Sequence, residues 1–394
     1  MQKETGKQMK VVIAMDSFKG NISSMQAGLA AKAGIERVCH ADITVKPLAD
    51  GGEGTTQALV DGLGGSYISI QVTGPTGEPV TATYGILPDG ITAVMEMAQA
   101  AGITLLPEGK PAPWDATTYG VGELILDAVQ RGCREFIIGI GGSATSDGGV
   151  GMLQALGYTF VDTDGREIGR GIRELDRIDR IGREHVHPAL RECRFHIACD
   201  VRNPLCGERG AVYVYGPQKG VKEQEKAVLD AKMRHYADQT AVYTGRDCRD
   251  CEGAGAAGGL GFAFLSYLEQ VELRPGVEVV LEAIGLQQEL QDADIVITGE
   301  GRLDGQTAMG KAPAGVAAMA KQYGALVLAF VGGVAEDAGA CNQAGIDAFF
   351  PIVRGITSLE QAMEPEMAEC NMMLAVEQVF RLVCNATNRC RENR

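Results

Sequence analysis

The sequence predicts an α/β protein of two domains, with a doubly wound parallel-sheet domain assembled from both chain ends and a mixed α/β domain inserted between them. Strand and helix patterns alternate at both ends of the chain, whereas strands of alternating polarity joined by tight turns follow from Tyr67. At 394 residues the chain also exceeds the size at which one core keeps growing, so about two or three domains are expected.

The first strand is the apolar run Val11 to Ala14. Ser23 and Gln26 then form a capping-box pattern ahead of Met25, Leu29 and Ala33, which predicts a helix. Ile43 to Val45 reads as a second strand, Ala49 to Gly54 as a tight loop, and Thr55 to Leu63 as a second helix stopped by Gly64 and Gly65. Successive strand–helix units of this kind form parallel sheets.

From Tyr67 the runs Ile68/Ile70/Val72, Val80/Ala82/Tyr84/Ile86 and Ile91/Ala93/Met95 alternate around turns at residues 74–77 and 88–90, and predict antiparallel strands. Val121, Leu124, Ile125 and Ala128 have helical spacing, followed by a strand at 136–140, another helix, a charged stretch at 166–194 and a strand at 195–198. Strand–helix alternation resumes with strands at 295–297 and 326–331, helices at 312–323 and 338–344, a short strand near Phe349 and one long terminal helix over 358–382. Residues 9–65 and 293–394 are thus expected to complete one Rossmann-like sheet, with 66–292 as the insert; a tandem arrangement is the rival. A cleft between the domains, faced by the loops after the strands, is the expected site of small-molecule binding.

Lys plus Arg total 36 against 51 Asp plus Glu, a net charge of −15, which argues against nucleic-acid or anionic-membrane partners. No apolar run approaches the ~18–20 residues that span a bilayer, and the polar start lacks the apolar centre of a signal peptide, so the chain reads as cytoplasmic. The 11 cysteines are odd in number and scattered, which fits reduced thiols; Cys248 and Cys251 form the only CxxC and lack the second pair that zinc needs. A homo-oligomer is compatible with the sequence.

Two glycine-rich loops suggest phosphate chemistry. Residues 138–149 follow an apolar strand and lead into Val150, Met152 and Leu153, so backbone N–H groups and a helix N-terminus would face an anion. Residues 299–311 add Glu300, Arg302, Asp304 and Lys311 to a second such loop. Within it, Gly305 to Ala312 has the spacing of a Walker loop, but Ala312 replaces the magnesium-binding hydroxyl and the segment begins late after its strand. Gly253 to Gly258 matches the dinucleotide fingerprint by letter, yet the charged residues 246–252 before it cannot form the required strand; a nucleotide phosphate approaching this loop at Gly255 is the better reading.

Acids directly follow strands at Asp16, Asp50 and Asp200, where each could hold magnesium, take a proton or cap a turn. Asp16, Glu53, Asp147, Asp200, Glu300 and Asp304 supply hard oxygens, and Lys19, Arg302 and Lys311 are cations beside glycines. These are the group types that phosphoryl transfer uses. A serine hydrolase fits less well, because Ser143 lacks a nucleophile-elbow pattern and none of the five histidines sits in a glycine loop.

Six segments in order resemble the type-1 glycerate kinase family: Asp16–Gly20, Pro47–Thr55, Gly139–Gly149, Asp200–Gly207, Gly253–Gly261 and Thr298–Thr307. The resemblance runs from about Met9 to the terminal helix; residues 1–8 fall outside it, and Met9 reads as the native-like start. It implies ATP-dependent phosphorylation of D-glycerate with Mg2+, in a two-domain α/β protein with its site in the interdomain cleft. It further implies a bacterial catabolic role, handling glycerate made from glyoxylate or aldarate sugars. The 2-hydroxyl is the expected acceptor, with a glycerate 3-kinase, a kinase of another small hydroxy acid and a non-catalytic acid sensor as alternatives.

Local chemistry then suggests roles. Arg302 suits the bidentate carboxylate of glycerate better than a lysine would. Lys19 would meet the transferring phosphoryl group, and Asp304 would orient or deprotonate the hydroxyl, with Asp200 as the runner-up. Asp16 and Asp50 are the expected Mg2+ ligands. Gly141, Gly142, Ser143, Thr145, Gly148, Gly149, Gly255 and Lys311 are the expected nucleotide contacts.

Overall fold

The computed structural model describes residues 8–107 and 110–392, which divide into two compact α/β units. One draws on Met1–Asp50, Gln57–Gly62 and Val280–Arg394, and the other on Gly51–Thr56 and Leu63–Val279.

The first unit holds a five-stranded sheet whose spatial order is Ala348–Pro351, Leu326–Val331, Ile295–Thr298, Lys10–Met15, Asp42–Pro47. Every neighbouring pair is parallel. Numbered along this unit's own chain the order is 2-1-3-4-5, a doubly wound arrangement that reverses direction between its first and third strands. The central strands are short runs of Val, Ile, Leu and Phe with both faces buried, as parallel strands covered by helices require.

The helix Ser24–Glu36 starts at the capping box read from sequence, with Ser23 accepting from the Gln26 backbone and the Gln26 side chain returning to the Ser23 N–H. It buries Ala27, Ala31 and Ile35 in a cluster with Met372, Val376 and Phe380 of the C-terminal helix Pro365–Glu392. At Gly34 an added Cβ would lie 2.4 Å from the Met373 carbonyl oxygen, so only glycine lets these helices approach so closely.

The expected single terminal helix is two helices, Leu359–Ala362 and Pro365–Glu392. Proline has no N–H and its ring blocks the preceding turn, so Pro365 can begin a helix but not continue one.

The second unit has a six-stranded mixed sheet in the order Gln270–Arg274, Arg194–Ala198, Glu135–Gly139, Thr92–Glu96, Pro79–Ile86, Ser66–Thr73. The first four are mutually parallel, and the last two form an antiparallel hairpin. The strand Thr92–Glu96 is antiparallel to the hairpin on one side, as expected, and parallel to Glu135–Gly139 on the other. Its core includes stacked Phe136 and Phe195 rings at 4.9 Å and an aromatic group around Tyr236 and Tyr267.

The described cysteines are all free. No helix among the described residues is long and apolar enough to cross a membrane.

Candidate functional site

In a doubly wound sheet the helices leave the first and third strands on opposite faces, and the gap this opens at the strand C-termini is where ligands bind. In the first unit those strands end at Met15 and Thr298, so the gap is flanked by Asp16 to Lys19 and by Gly299 to Asp304. The Asp16 N–H donates to the Gly299 carbonyl at 2.9 Å and ties the two loops together. Gly299 is required there, since an added Cβ would sit 1.9 Å from the Phe330 carbonyl oxygen.

A cavity of about 670 Å³ opens at this point. Its polar wall carries Asp16, Lys19, Asp50, Arg302, Asp304 and Lys311, and its apolar wall includes Phe18, Val334, Ile352 and Met363. Lys19 Nζ lies 3.1 Å from Asp50 Oδ2, and Lys311 Nζ lies 3.7 Å from Asp304 Oδ1. Arg302 begins the short strand Arg302–Leu303, held parallel to Gly333–Val334, which anchors its backbone at the rim. Glu300 is buried and accepts from the Thr307 hydroxyl.

Two carboxylates here have opposite electrostatics. Burial, reinforced by the charge of Asp50, pushes the Asp16 carboxyl up to about 7 against the pull of its Ser17 N–H bond and Lys19. Asp304 is raised by partial desolvation, but Thr307 and Gln306 N–H groups together with Lys311 and Arg302 outweigh it and leave it below its ordinary value. Asp304 is therefore ionised throughout the neutral range, a hydrogen-bond acceptor rather than a strong base.

Among the described residues no group of three or more His, Cys, Asp or Glu side chains could hold a metal ion. Asp16 and Asp50 nonetheless form a pair whose mutual repulsion a cation would relieve. Magnesium commonly takes only one or two protein carboxylates, completing its shell with phosphate and water oxygens, and this pair fits that habit.

The second unit has its own cavity, of about 310 Å³, at the C-terminal ends of its parallel strands. Gly141, Gly142 and Ser143 line it from the loop after Glu135–Gly139, and Asp200 from the loop after Arg194–Ala198. Asp200 Oδ1 accepts from the Gly276 N–H at 2.9 Å. Ala256 and Ala257 line the cavity as well. Ala257 has φ 51°, the only positive φ of a non-glycine residue among those described, and Gly258 and Gly259 continue in the same left-handed region.

The rest of the glycine loop serves packing. Thr145 and Asp147 are fully buried. Asp147 accepts from the Thr118 N–H and hydroxyl and from the N–H groups of Gly149 and Gly151. The N–H groups expected to face an anion at the start of the helix Val150–Ala155 are thus partly occupied by Asp147. Added Cβ atoms at Gly148 and Gly149 would lie 2.7 Å from the Tyr236 ring and 2.4 Å from Ala263 Cβ, and one at Gly255 would lie 2.2 Å from the Pro204 carbonyl oxygen.

The sequence-derived residues therefore fall into two sets. Asp16, Lys19, Asp50, Arg302, Asp304 and Lys311 meet in the first cavity, where Lys311 lies with the acids. Gly141, Gly142, Ser143 and Asp200 meet in the second, while Thr145, Gly148, Gly149 and Gly255 shape the loops around it.

Two residues escaped the sequence reading. Glu96 is buried at the end of its strand and accepts the N–H groups of Gly54 and Thr56, fixing the start of the helix Thr55–Leu63. Lys219 is buried in the wall of the second cavity, and its Nζ donates to Ser143 Oγ at 2.7 Å and to the Thr145 carbonyl. Its position beside Gly220 was the available signal, the same lysine–glycine pairing that marked Lys19.

The sequence profile of the glycerate kinase family matches residues 11–384. A glycerate kinase of Bacillus subtilis (strain 168) is 49% identical over 357 residues, covering 90% of this chain and 93% of its own. The glycerate 2-kinase of Escherichia coli (strain K12) is 44% identical over 355 residues, with the same 90% and 93% coverage. The crystal structure of a provisionally assigned glycerate kinase 2 from Salmonella typhimurium LT2 superposes with a TM-score of 0.90 at 39% identity, covering 97% of this chain and 100% of that one.

Proposed function

Because the chain belongs to the glycerate kinase family, we propose that it transfers the terminal phosphoryl group of ATP to the 2-hydroxyl of D-glycerate, giving 2-phospho-D-glycerate, in the cytoplasm. The observation that carries this reading is the first unit's cavity, where paired carboxylates and three cations converge at the sheet's reversal point. The 2-hydroxyl is favoured by the name of the Escherichia coli relative.

Glycerate presents a carboxylate beside its hydroxyls. Arg302 offers a planar fork of donors that matches a carboxylate in two contacts. Asp304, held ionised by its N–H bonds and neighbouring cations, accepts the hydrogen of the substrate hydroxyl and points the oxygen's lone pair at phosphorus. A strong base is unnecessary, because phosphoryl transfer passes through a loose transition state in which little proton removal precedes bond formation. Asp200, in the second cavity, is the alternative carboxylate for this task.

Lys19 and Lys311 supply positive charge to the phosphoryl oxygens as charge shifts toward the leaving group. Asp16 and Asp50 would hold Mg2+, which when bound offsets the charge of the phosphates. Gly141, Gly142 and Ser143 would receive the phosphates of ATP through backbone N–H groups, with Thr145, Gly148, Gly149 and Gly255 fixing the shape of the surrounding loops.

An assay of ADP release tests the reading. Turnover should require both Mg2+ and D-glycerate, and should fall by at least an order of magnitude with lactate, which lacks the second hydroxyl. Equal rates with and without D-glycerate would sink it.

A further inference from the structure

We propose that Lys219 is the cation that grips the phosphates of the donor nucleotide in the second unit's cavity, acting together with the backbone N–H groups of Gly141 to Ser143. This deepens the ATP reading above and rests on it.

Lys219 ends the short turn Pro217–Lys219 and is only 4% exposed. Gly220 follows it with φ 94°, where an added Cβ would be 2.4 Å from Pro111 Cβ, so the turn that aims the lysine depends on glycine. An ammonium group has three donors. Two are engaged by Ser143 Oγ and the Thr145 carbonyl, both neutral acceptors, which leaves one.

No carboxylate among the described residues forms a salt bridge with Lys219, although a buried charge ordinarily has a counter-ion. Asp147 contributes favourable charge from nearby, but its own oxygens are engaged by Thr118, Gly149 and Gly151. The N–H groups of Gly141, Gly142 and Ser143 make no backbone hydrogen bond among the described residues, and these residues line the same cavity. A desolvated cation without a paired anion, beside three consecutive unpaired donors, is built to receive an anion. The left-handed Ala257, which lines the same cavity, is a second sign of ligand shaping, since non-glycine residues hold such conformations where structure imposes them.

Burial lowers Lys219 to about 7, opposed by the charge of Asp147. A polyanion entering the cavity stabilises the charged form, so nucleotide binding above neutral pH should draw a proton onto Nζ. The other titratable groups around the cavity are Asp147, Asp200, Cys199 and Tyr215. Burial raises Cys199 and Tyr215 above their ordinary values of 9.0 and 10.0, which keeps both neutral at pH 8.

Titration calorimetry with ADP on the full chain at pH 8, in two buffers of different ionisation enthalpy, reads this directly. Wild type should take up most of one proton. Lys219→Met should abolish the uptake and weaken ADP about tenfold or more, the scale of a lost charge-assisted hydrogen bond, while the KM for D-glycerate stays within about twofold. Lys219→Arg, which keeps the charge, should retain most of the ADP affinity. No proton uptake by wild type overturns the proposal even if the methionine variant fails to fold. A rise in the glycerate KM with ADP binding unchanged overturns it too, by showing that the seat takes the acid's carboxylate. Proton-linked ADP binding in a protein that does not phosphorylate glycerate would retain the proposal and reject the substrate reading.

Discussion

Replacing Asp16 by Asn should stabilise the protein while disabling it, and the gain should depend on pH. The Asp16 carboxyl titrates near 3.8 when unfolded and at about 7 when folded, because burial and the neighbouring Asp50 disfavour its charge. A raised carboxyl contributes its full stability below 3.8 and loses it as pH climbs to about 7, beyond which the penalty is constant. That rise corresponds to a ceiling of ~4 kcal/mol. Asn at this position carries no charge and can still accept the Ser17 N–H that Asp16 Oδ1 now accepts at 2.7 Å. Part of the penalty is already present at pH 5, so the advantage of the variant should grow by roughly 2–3 kcal/mol between pH 5 and pH 8. For a unit of this size that is roughly 5–10 °C in melting temperature. Thermal melts of both proteins without metal or nucleotide, at the two pH values, provide the assay. A variant advantage that is equal at both pH values, or larger at pH 5, would refute the claim that Asp16 is held in a charge-disfavouring site.

Three further substitutions test the surrounding assignments. Lys19→Ala should lower kcat by at least about a hundredfold, the scale seen when a donor to transition-state charge is removed, and turnover within tenfold of wild type would reject its role. Arg302→Lys keeps the charge but removes the planar fork, so the KM for D-glycerate should rise about tenfold with little change in that for ATP; a rise confined to ATP would move Arg302 to the nucleotide. Gly149→Ala inserts a methyl 2.4 Å from Ala263 Cβ at φ 76° and should cost ~2–4 kcal/mol, read as a lower melting temperature. An unchanged melt would mean that the rear of the glycine loop is not packed as described.

Local sequence rules located most elements, because each rested on a contiguous signal. The strand Leu326–Val331 is bounded as expected by an unbroken apolar run, and the helix Ser24–Glu36 begins at its capping box. Proline separates expectation from structure at the C-terminal end: the apolar spacing suggests one helix over 358–382, but Pro365, which lacks an N–H, starts a new helix there instead. The strand Thr92–Glu96 pairs antiparallel with Pro79–Ile86 as its alternation suggests, while its second, parallel partner Glu135–Gly139 was not legible, because alternation reports burial and not the direction of a partner distant in sequence.

The lining of the candidate site was legible to a similar degree. Asp16 was visible as an acid directly after an apolar strand, and Lys19, Arg302 and Asp304 as charged residues beside Gly20, Gly301 and Gly305 in the loops that follow strands. Lys219 and Glu96 act on the segments 143–145 and 54–56, far from them in sequence, and neither follows a strand into a glycine-rich run. Within the loop 139–149, sequence alone did not distinguish glycines that admit a ligand from those that admit a neighbouring side chain; Gly141 lines a cavity, whereas Gly148 faces the Tyr236 ring.

The most direct test of the central claim is the identity of the product formed from ATP, Mg2+ and D-glycerate, followed by phosphorus and proton NMR in one tube. Phosphorus coupled to the single proton on carbon 2, appearing in step with ADP, is the expected result. Coupling to the methylene protons of carbon 3 would contradict the assigned hydroxyl, and the absence of any glycerate-dependent phosphate ester from folded protein would contradict the function itself.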